Sequence, residues 1–524
     1  MVSRALPLAL LLTMTMTVCG AQAQELLHPG ATLSVDAGGG PVSLRIAAPP
    51  GSYIAGRISG AEQTVTADLL REDGSHFRRL AEDCRGDVDF QAMTEGDAFL
   101  RITSATPVAV RLDRVVPPGE QIPPERAFLS PRIAAMAESL SRGEDTEAFW
   151  REVGASGTPL VEDAAEGEAI LTFLWRAASR NVRLFGGPSN DHEWLERLDG
   201  SDIWFKSFRV PDSARLSYKL APDVPDVPGS SRVRRAALLA TAQADPLNRT
   251  PWPATAIDRF NQSSTVTLKN APPQPGTPTG TAADPVMARM TFHSDRLGNS
   301  REITLSHPRG MDPRDPRLAV AFIFDGEAAL EQMQVPDMLD RLAGEGRLPP
   351  VLAVLIPSID GRTRARELPG NDGFADALAD ELLPQVAARM GILPDPARTV
   401  LAGASYGGLA AATVALRRPE VFGNVLSMSG SFWWAPDHAQ TDGTPWMAAE
   451  FADRDRLPLR FFLSAGTFET ARPESAGIFE TSRELRDILR LKGYDVGWRA
   501  YAGGHDYLVW RGALADGLIA LFGK

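Results

Sequence analysis

The pattern Gly403-Ala404-Ser405-Tyr406-Gly407 restricts the fold of this chain more than any other stretch of it. It matches G-x-S-x-G, in which a strand turns sharply into a helix and leaves a serine at the apex. The context agrees. Thr399-Val400-Leu401-Ala402-Gly403 is apolar before the serine, and Leu409-Ala410-Ala411-Ala412 suits a helix after it. Small residues at 403, 407 and 408 let the two backbones approach. The helix N-terminus then faces whatever negative charge develops beside the serine. Ser405 is therefore the expected nucleophile, and the fold must supply a buried strand before it and a base within reach.

Similar apolar runs recur through the same half of the chain: Leu318 to Phe324, Val351 to Ile356 and Leu459 to Leu463. Runs apolar on both faces suit buried strands of a mostly parallel sheet. Helical patterns lie between them, including Phe374 to Met390 and Leu409 to Arg417. Alternating strands and helices predict an α/β-hydrolase catalytic domain over 285–524, with helices on both faces of the sheet.

In that fold the base follows the serine in the chain, and of the seven histidines only His438 and His505 do so. His438 lies in the polar stretch 437–442 and reads as an exposed loop residue. His505 follows Tyr501-Ala502-Gly503-Gly504, a strand end running into a glycine turn, and is the expected base. Glu469, just past the run that ends in Leu463-Ser464-Ala465-Gly466, is the candidate acid that orients it. Glu474, Glu480 and Asp506 are rivals. The oxyanion donors should be the backbone N–H of Tyr406 and one near Gly326, where Phe324-Asp325-Gly326-Glu327 follows an earlier strand. Asp325-Gly326 could equally be a plain turn.

The first residues bear on compartment. Arg4, the apolar run Leu6 to Leu12 and Ala21-Gln22-Ala23 have the order of a secretory signal peptide cleaved after Ala23. The run is too short to span a bilayer, and no later stretch approaches the ~20 apolar residues a span needs. Lipidation at Cys19 is disfavoured by Val18 before it. Loss of Arg4, the single charged residue of 1–23, takes the formal charge from −12 to −13. Such a balance argues against nucleic acid or an anionic membrane as partner. An anionic substrate would need a local basic patch. Cys84, the one cysteine beyond the leader, cannot form an internal disulfide and excludes a cysteine-based zinc site. It is expected to be a buried small hydrophobe, and no metal site is expected.

Residues 24–118 read as a small all-β, sandwich-like module, with short alternating runs such as 42–46, 65–70 and 99–102. Prolines at 117, 118, 123 and 124 suggest a linker. A second region, 125–270, opens with a helical stretch and turns strand-rich at 170–175, 182–186 and 204–206. The segment Ala271 to Pro278 carries four prolines and can form neither ladder nor helix.

Several stretches together resemble the enterochelin (enterobactin) esterase family. They are Ser294 to Arg301, Asp360 to Phe374 with Arg366-Glu367-Leu368-Pro369 and Asn371, Leu426 to Trp434, and Gly503 to Gly512. The likeness is strong over 285–524. It continues more weakly through 145–270, where Asp245-Pro246-Leu247-Asn248 resembles a motif of the family's β-rich N-terminal domain. Residues 24–118 lie outside the family pattern. The resemblance implies hydrolysis of the lactone esters of a cyclic trimer of catecholoyl-serine, with iron as part of the substrate and no resident cofactor. A ferric triscatecholate is anionic, so Arg362, Arg364, Arg366 and Arg511 become candidate clamps. Arg366 could instead pair with Glu367 or Glu381. Trp433 and Trp434 could stack on catechol rings or sit as core behind the elbow. With the leader, the resemblance implies action outside the cytoplasm, most naturally in a periplasm. Two other readings stay open: a hydrolase of other aromatic or acyl esters such as feruloyl esters, and a ferric-catecholate binding protein without turnover. The serine–histidine pair counts against the last. Oligomeric state is open.

Overall fold

The computed structural model describes residues 25–36, 38, 40–121, 127–189, 192–277, 283–439, 445–471 and 476–523. The leader, Cys19, Pro123-Pro124 and Glu474 fall outside the described residues. The chain divides into two compact units, residues 1–126 and 127–524.

In the first unit two sheets, of five and four strands, enclose one core. Alternation builds it: in Val108–Val116 the side chains at 108, 110 and 112 are buried while 111 and 113 face solvent. Leu44, Leu100 and Ile102 from one sheet share the core with Ile54, Ile58 and Leu112 from the other. Cys84 is a free thiol, half-buried at the core's rim and not inside it. Its strand, His76–Cys84, is the sheet's outer member, and an edge strand covers little of itself.

The second unit opens with two helices, Pro131–Ser141 and Glu147–Ser156, and continues as two four-stranded antiparallel sheets. Leu171 and Phe173 of Glu168–Arg176 pack on Leu216 and Tyr218 of Arg215–Pro222 across a shared core. Residues 271–277 then cross without strand or helix, as their prolines require.

An eight-stranded sheet follows: β1 Val286–Ser294, β2 Asn299–His307, β3 Ala319–Phe324, β4 Val351–Ile356, β5 Thr399–Ala404, β6 Asn424–Met428, β7 Arg460–Gly466 and β8 Asp495–Tyr501. Their order is β1-β2-β4-β3-β5-β6-β7-β8. β1 and β2 form an antiparallel hairpin and β2 meets β4 antiparallel; every later pairing is parallel. Every residue of β3, β4 and β5 is buried, as strands covered on both faces must be. Alternate residues serve opposite faces. Val320, Phe322 and Phe324 pack under the 372–390 helical segment and α4 (Tyr406–Arg417). Ala319, Ala321 and Ile323 meet α2 (Val335–Gly344) and α6 (Tyr507–Phe522). Two more helices matter at the strand ends: α1 (Gly326–Glu331) after β3 and α3 (Gly361–Glu367) after β4. α5 (Ile478–Leu491) covers the far side of β7. The helix expected over 374–390 starts two residues earlier and contains a π turn at Leu378–Leu382, with Pro384 just beyond.

Candidate active site

β5 delivers Ser405 at φ 58° and ψ −121°, a backbone strained for a serine and immediately followed by α4. The elbow is closed by contacts that forbid a Cβ at its glycines. A Cβ on Gly403 would lie 2.5 Å from the Gly407 carbonyl carbon, and one on Gly408 would lie 2.6 Å from Ser427 Oγ. Ser405 Oγ rests 3.3 Å from Ser431 Oγ, while the Ser431 N–H donates to the Ser405 carbonyl at 3.0 Å.

Two strands further along the sheet, the turn after β7 carries Glu469, which is 1% exposed. Its Oε1 lies 2.5 Å from His505 Nδ1. Its Oε2 accepts from the Gly466 N–H at 2.6 Å and from Ser429 Oγ at 2.7 Å. His505 stands on the loop after β8, its imidazole perpendicular to the Trp510 ring at 4.7 Å between centroids. The nominated acid is thus the carboxylate the fold brings to the histidine. Asp506, a rival, instead caps α6: Oδ1 accepts from the Val509 N–H at 3.0 Å and Oδ2 from the Ser217 N–H at 3.1 Å. Burial pushes its carboxyl up to about 6. Glu480 is exposed on the first turn of α5, and His438 is exposed in a short turn.

The oxyanion candidates meet because β3 and β5 are parallel neighbours, Ile323 opposite Ala402. Gly326 opens α1 and Tyr406 opens α4, and first-turn N–H groups have no partner inside their own helix. A Cβ at Gly326 would strike the backbone of Ile356 at 2.8 Å. Asp325, in the left-handed region at φ 53°, puts a carboxylate beside this spot, Oδ2 standing 3.6 Å from where a Gly407 Cβ would be. Arg364 answers that charge with a bidentate pair, Nε to Oδ1 at 2.6 Å and Nη2 to Oδ2 at 2.7 Å. Its guanidinium also lies 5.8 Å from the Tyr406 ring. Ser358 Oγ adds a third bond to Asp325 at 2.8 Å. The Tyr507 hydroxyl, pushed up to about 12 by burial and by Asp325, borders the same cluster.

The four arginines do not act together, which corrects the expected clamp. Only Arg364 reaches the elbow. Arg362 and Arg366 are exposed on α3, and at 3.6 residues per turn they point nearly opposite to Arg364. Arg366 lies 3.6 Å from Glu367, not Glu381. Glu367 itself is committed to Arg301 at 2.6 Å in a pair about 2–3% exposed, and to Asn299 at 2.7 Å. Glu381 faces Arg296 at 3.8 Å. Arg511 is 7% exposed on the α2 side of α6, with Nε and Nη2 unpartnered and its pKa lowered by burial and by Arg341. A side chain enclosed in this way cannot clamp a ligand. The tryptophans also divide. Trp433 is 44% exposed and 6.2 Å from the Tyr406 ring, whereas Trp434 packs edge-on against Trp446 at 5.5 Å. Ser429, Ser431 and Trp510 were not foreseen. Among the described residues no cluster of His, Cys, Asp or Glu is placed to hold a metal ion.

A strained serine at a strand–helix elbow, with a carboxylate two strands along the sheet holding a histidine three strands along it, makes this an α/β-hydrolase-fold carboxylic ester hydrolase. Comparison with known proteins agrees. The family model described as "Putative esterase" matches residues 294–521 and that described as "Enterochelin esterase, N-terminal" matches 170–277. An iron(III) enterobactin esterase of Dickeya dadantii (strain 3937) is 35% identical over 434 residues, which is 74% of this chain and 94% of that protein. An iron(III) salmochelin esterase of Escherichia coli O6:H1 is 31% identical over 412 residues, 75% of this chain and 98% of that protein. Crystal structures of the enterobactin esterases from Shigella flexneri and Salmonella typhimurium align with TM-scores of 0.58 and 0.59 at 32% identity. Both cover 72% of this chain and 97–98% of theirs. The chain belongs to the enterochelin (enterobactin) esterase family.

Proposed function

We propose that this esterase opens the ester bonds of a catecholate siderophore such as ferric enterobactin, and so aids iron release. The carrying observation is the His505–Glu469 pair just past the ends of β7 and β8, at the same edge of the parallel sheet where β5 delivers Ser405, within a family whose named relatives act on iron(III) enterobactin and salmochelin. In this mechanism Ser405 Oγ attacks the ester carbonyl while His505 takes its proton. The Tyr406 and Gly326 N–H groups meet the developing oxyanion. His505 then returns the proton to the departing serine hydroxyl of the siderophore, and water repeats the sequence on the acyl-enzyme. The reaction requires Ser405 Oγ to exchange its Ser431 neighbour for His505, a bond of the kind that commonly tightens only in the complex.

Trp433 and Tyr406, with ring centroids 6.2 Å apart beside the elbow, would offer the catechol rings a surface on which to rest. No resident cofactor is needed, because iron arrives with the substrate. The leader supports export and cleavage after Ala23, and among the described residues no helix is long and apolar enough to cross a membrane. Product mass spectrometry tests the substrate: enterobactin, its linear fragments and a feruloyl ester are incubated in parallel with the wild type and Ser405→Ala. Dihydroxybenzoyl-serine products from the wild type alone support the proposal; cleavage of the feruloyl ester only would replace it. Fractionation with N-terminal sequencing should find Gln24 first, in the periplasm.

A further inference from the structure

We infer that Ser429 and Trp510 are positioning residues, which hold the Glu469 carboxylate in the one orientation that serves His505. The inference rests on the Ser405–His505–Glu469 reading and deepens it. Ser429 follows β6 directly and adopts φ 48°, a left-handed conformation that strains any residue with a Cβ. Glycine would take this position freely, so a serine must contribute something that glycine lacks. Its hydroxyl does. The Trp510 indole N–H donates to Ser429 Oγ at 2.9 Å, and Ser429 Oγ lies 2.7 Å from Glu469 Oε2. A hydroxyl carries one proton and the indole can only donate, so the serine proton is directed at the carboxylate.

Oε2 is thereby held by two donors, Ser429 Oγ–H and the Gly466 N–H, and Oε1 is left for His505 Nδ1. Gly466 is part of the device, since a Cβ there would lie 3.0 Å from Oε2 and 2.3 Å from the Gly503 carbonyl. Trp510 closes the circuit by packing its ring against the imidazole it helps to aim. Ser429 and Glu469 are each 1% exposed and Trp510 is 5% exposed, so water does not compete for these bonds. Without the relay, Glu469 could rotate about its own side-chain bonds, and small misplacements of a catalytic pair cost roughly 100-fold.

A double-mutant cycle on a neutral nitrophenyl ester separates positioning from packing, and does not depend on the siderophore reading. Ser429→Gly should lower kcat by roughly 10- to 100-fold with KM within about twofold. Its thermal midpoint should stay within about 3 °C of wild type, because relief of the left-handed strain offsets the lost bond. In a Glu469→Gln background the same substitution should change kcat by less than about twofold, since a residue acting through Glu469 has nothing left to position. Trp510→Phe, which keeps the ring and deletes the N–H, should lose less than Ser429→Gly but in kcat as well. Wild-type kcat in Ser429→Gly, or an equal loss in both backgrounds, would overturn the inference. Full turnover in Glu469→Gln would remove the acid assignment and the relay with it. A wild type that cleaves the nitrophenyl ester but not enterobactin would touch only the substrate reading.

Discussion

Arg364 carries the clearest consequence at the scale of single residues. It neutralises Asp325 beside the two N–H groups that await the oxyanion. Arg364→Gln would leave a buried carboxylate facing the developing negative charge. The expected result is a loss of at least tenfold in kcat on charged and neutral esters alike, given that a charge-assisted bond is worth about 1.5–3 kcal/mol. Arg364→Gln combined with Asp325→Asn should recover part of it. A rise in KM confined to the ferric complex would instead make Arg364 a ligand clamp. Glu469→Gln should cost turnover strongly without abolishing it, because His505 keeps its place but loses charge stabilisation; near wild-type rates would move the acid elsewhere. Ser405, His505 and Glu469 were legible because each follows a strand-like run at a recognisable distance. Ser429 was not. Nothing in Leu426-Ser427-Met428-Ser429-Gly430-Ser431 distinguishes the serine in a left-handed conformation from the two ordinary ones around it.

Helix α6 shows what an element can hide. Its sequence YLVWRGALADGLIALF is apolar on every side, and eleven of its sixteen residues are buried. A helix of that kind is a core helix, so a charge within it should be expected to be buried. Read by charge alone, Arg511 looked like a ligand contact; the all-round apolar pattern was the signal that could have placed it. The same blindness affected α3, where helical spacing splits Arg364 from Arg362 and Arg366 although all three share one short segment. For Arg511→Leu the prediction is a thermal midpoint equal to or above wild type, because replacing a poorly satisfied buried charge by apolar volume is often neutral or stabilising by about 1–4 kcal/mol. KM for enterobactin should not change. A tenfold rise in KM without destabilisation would return Arg511 to the binding site.

Over the whole 127–524 unit, the β-rich half supports the loops that carry both acid and base. Phe468, next to Glu469, and Ala502, three residues before His505, pack on its core. The Arg215 N–H bonds the Ala502 carbonyl at 2.9 Å, and a Cβ on Gly503 would strike the Arg215 carbonyl at 2.8 Å. Asp506 ties the halves together, capping α6 with one oxygen and holding the Ser217 N–H with the other. Its carboxyl is raised by burial from 3.8 to about 6. The folded state therefore holds this proton over a range in which the unfolded chain has released it. The stabilisation is fully present below about pH 4 and is lost as pH rises through about 6, at most ~3 kcal/mol and less for a side chain that is only partly buried. Asp506→Asn cannot titrate. It keeps the helix cap but turns an amide N–H2 toward Ser217. The difference in thermal midpoint, wild type minus Asp506→Asn, should consequently fall between pH 4 and 6.5 and stay level above 7. Turnover at pH 8 should also drop in the variant, because the His505 loop loses its anchor to the strand Arg215–Pro222. A midpoint difference that is constant from pH 4 to 8 would contradict the raised carboxyl, and unchanged turnover would show that the β-rich half does not steady the histidine.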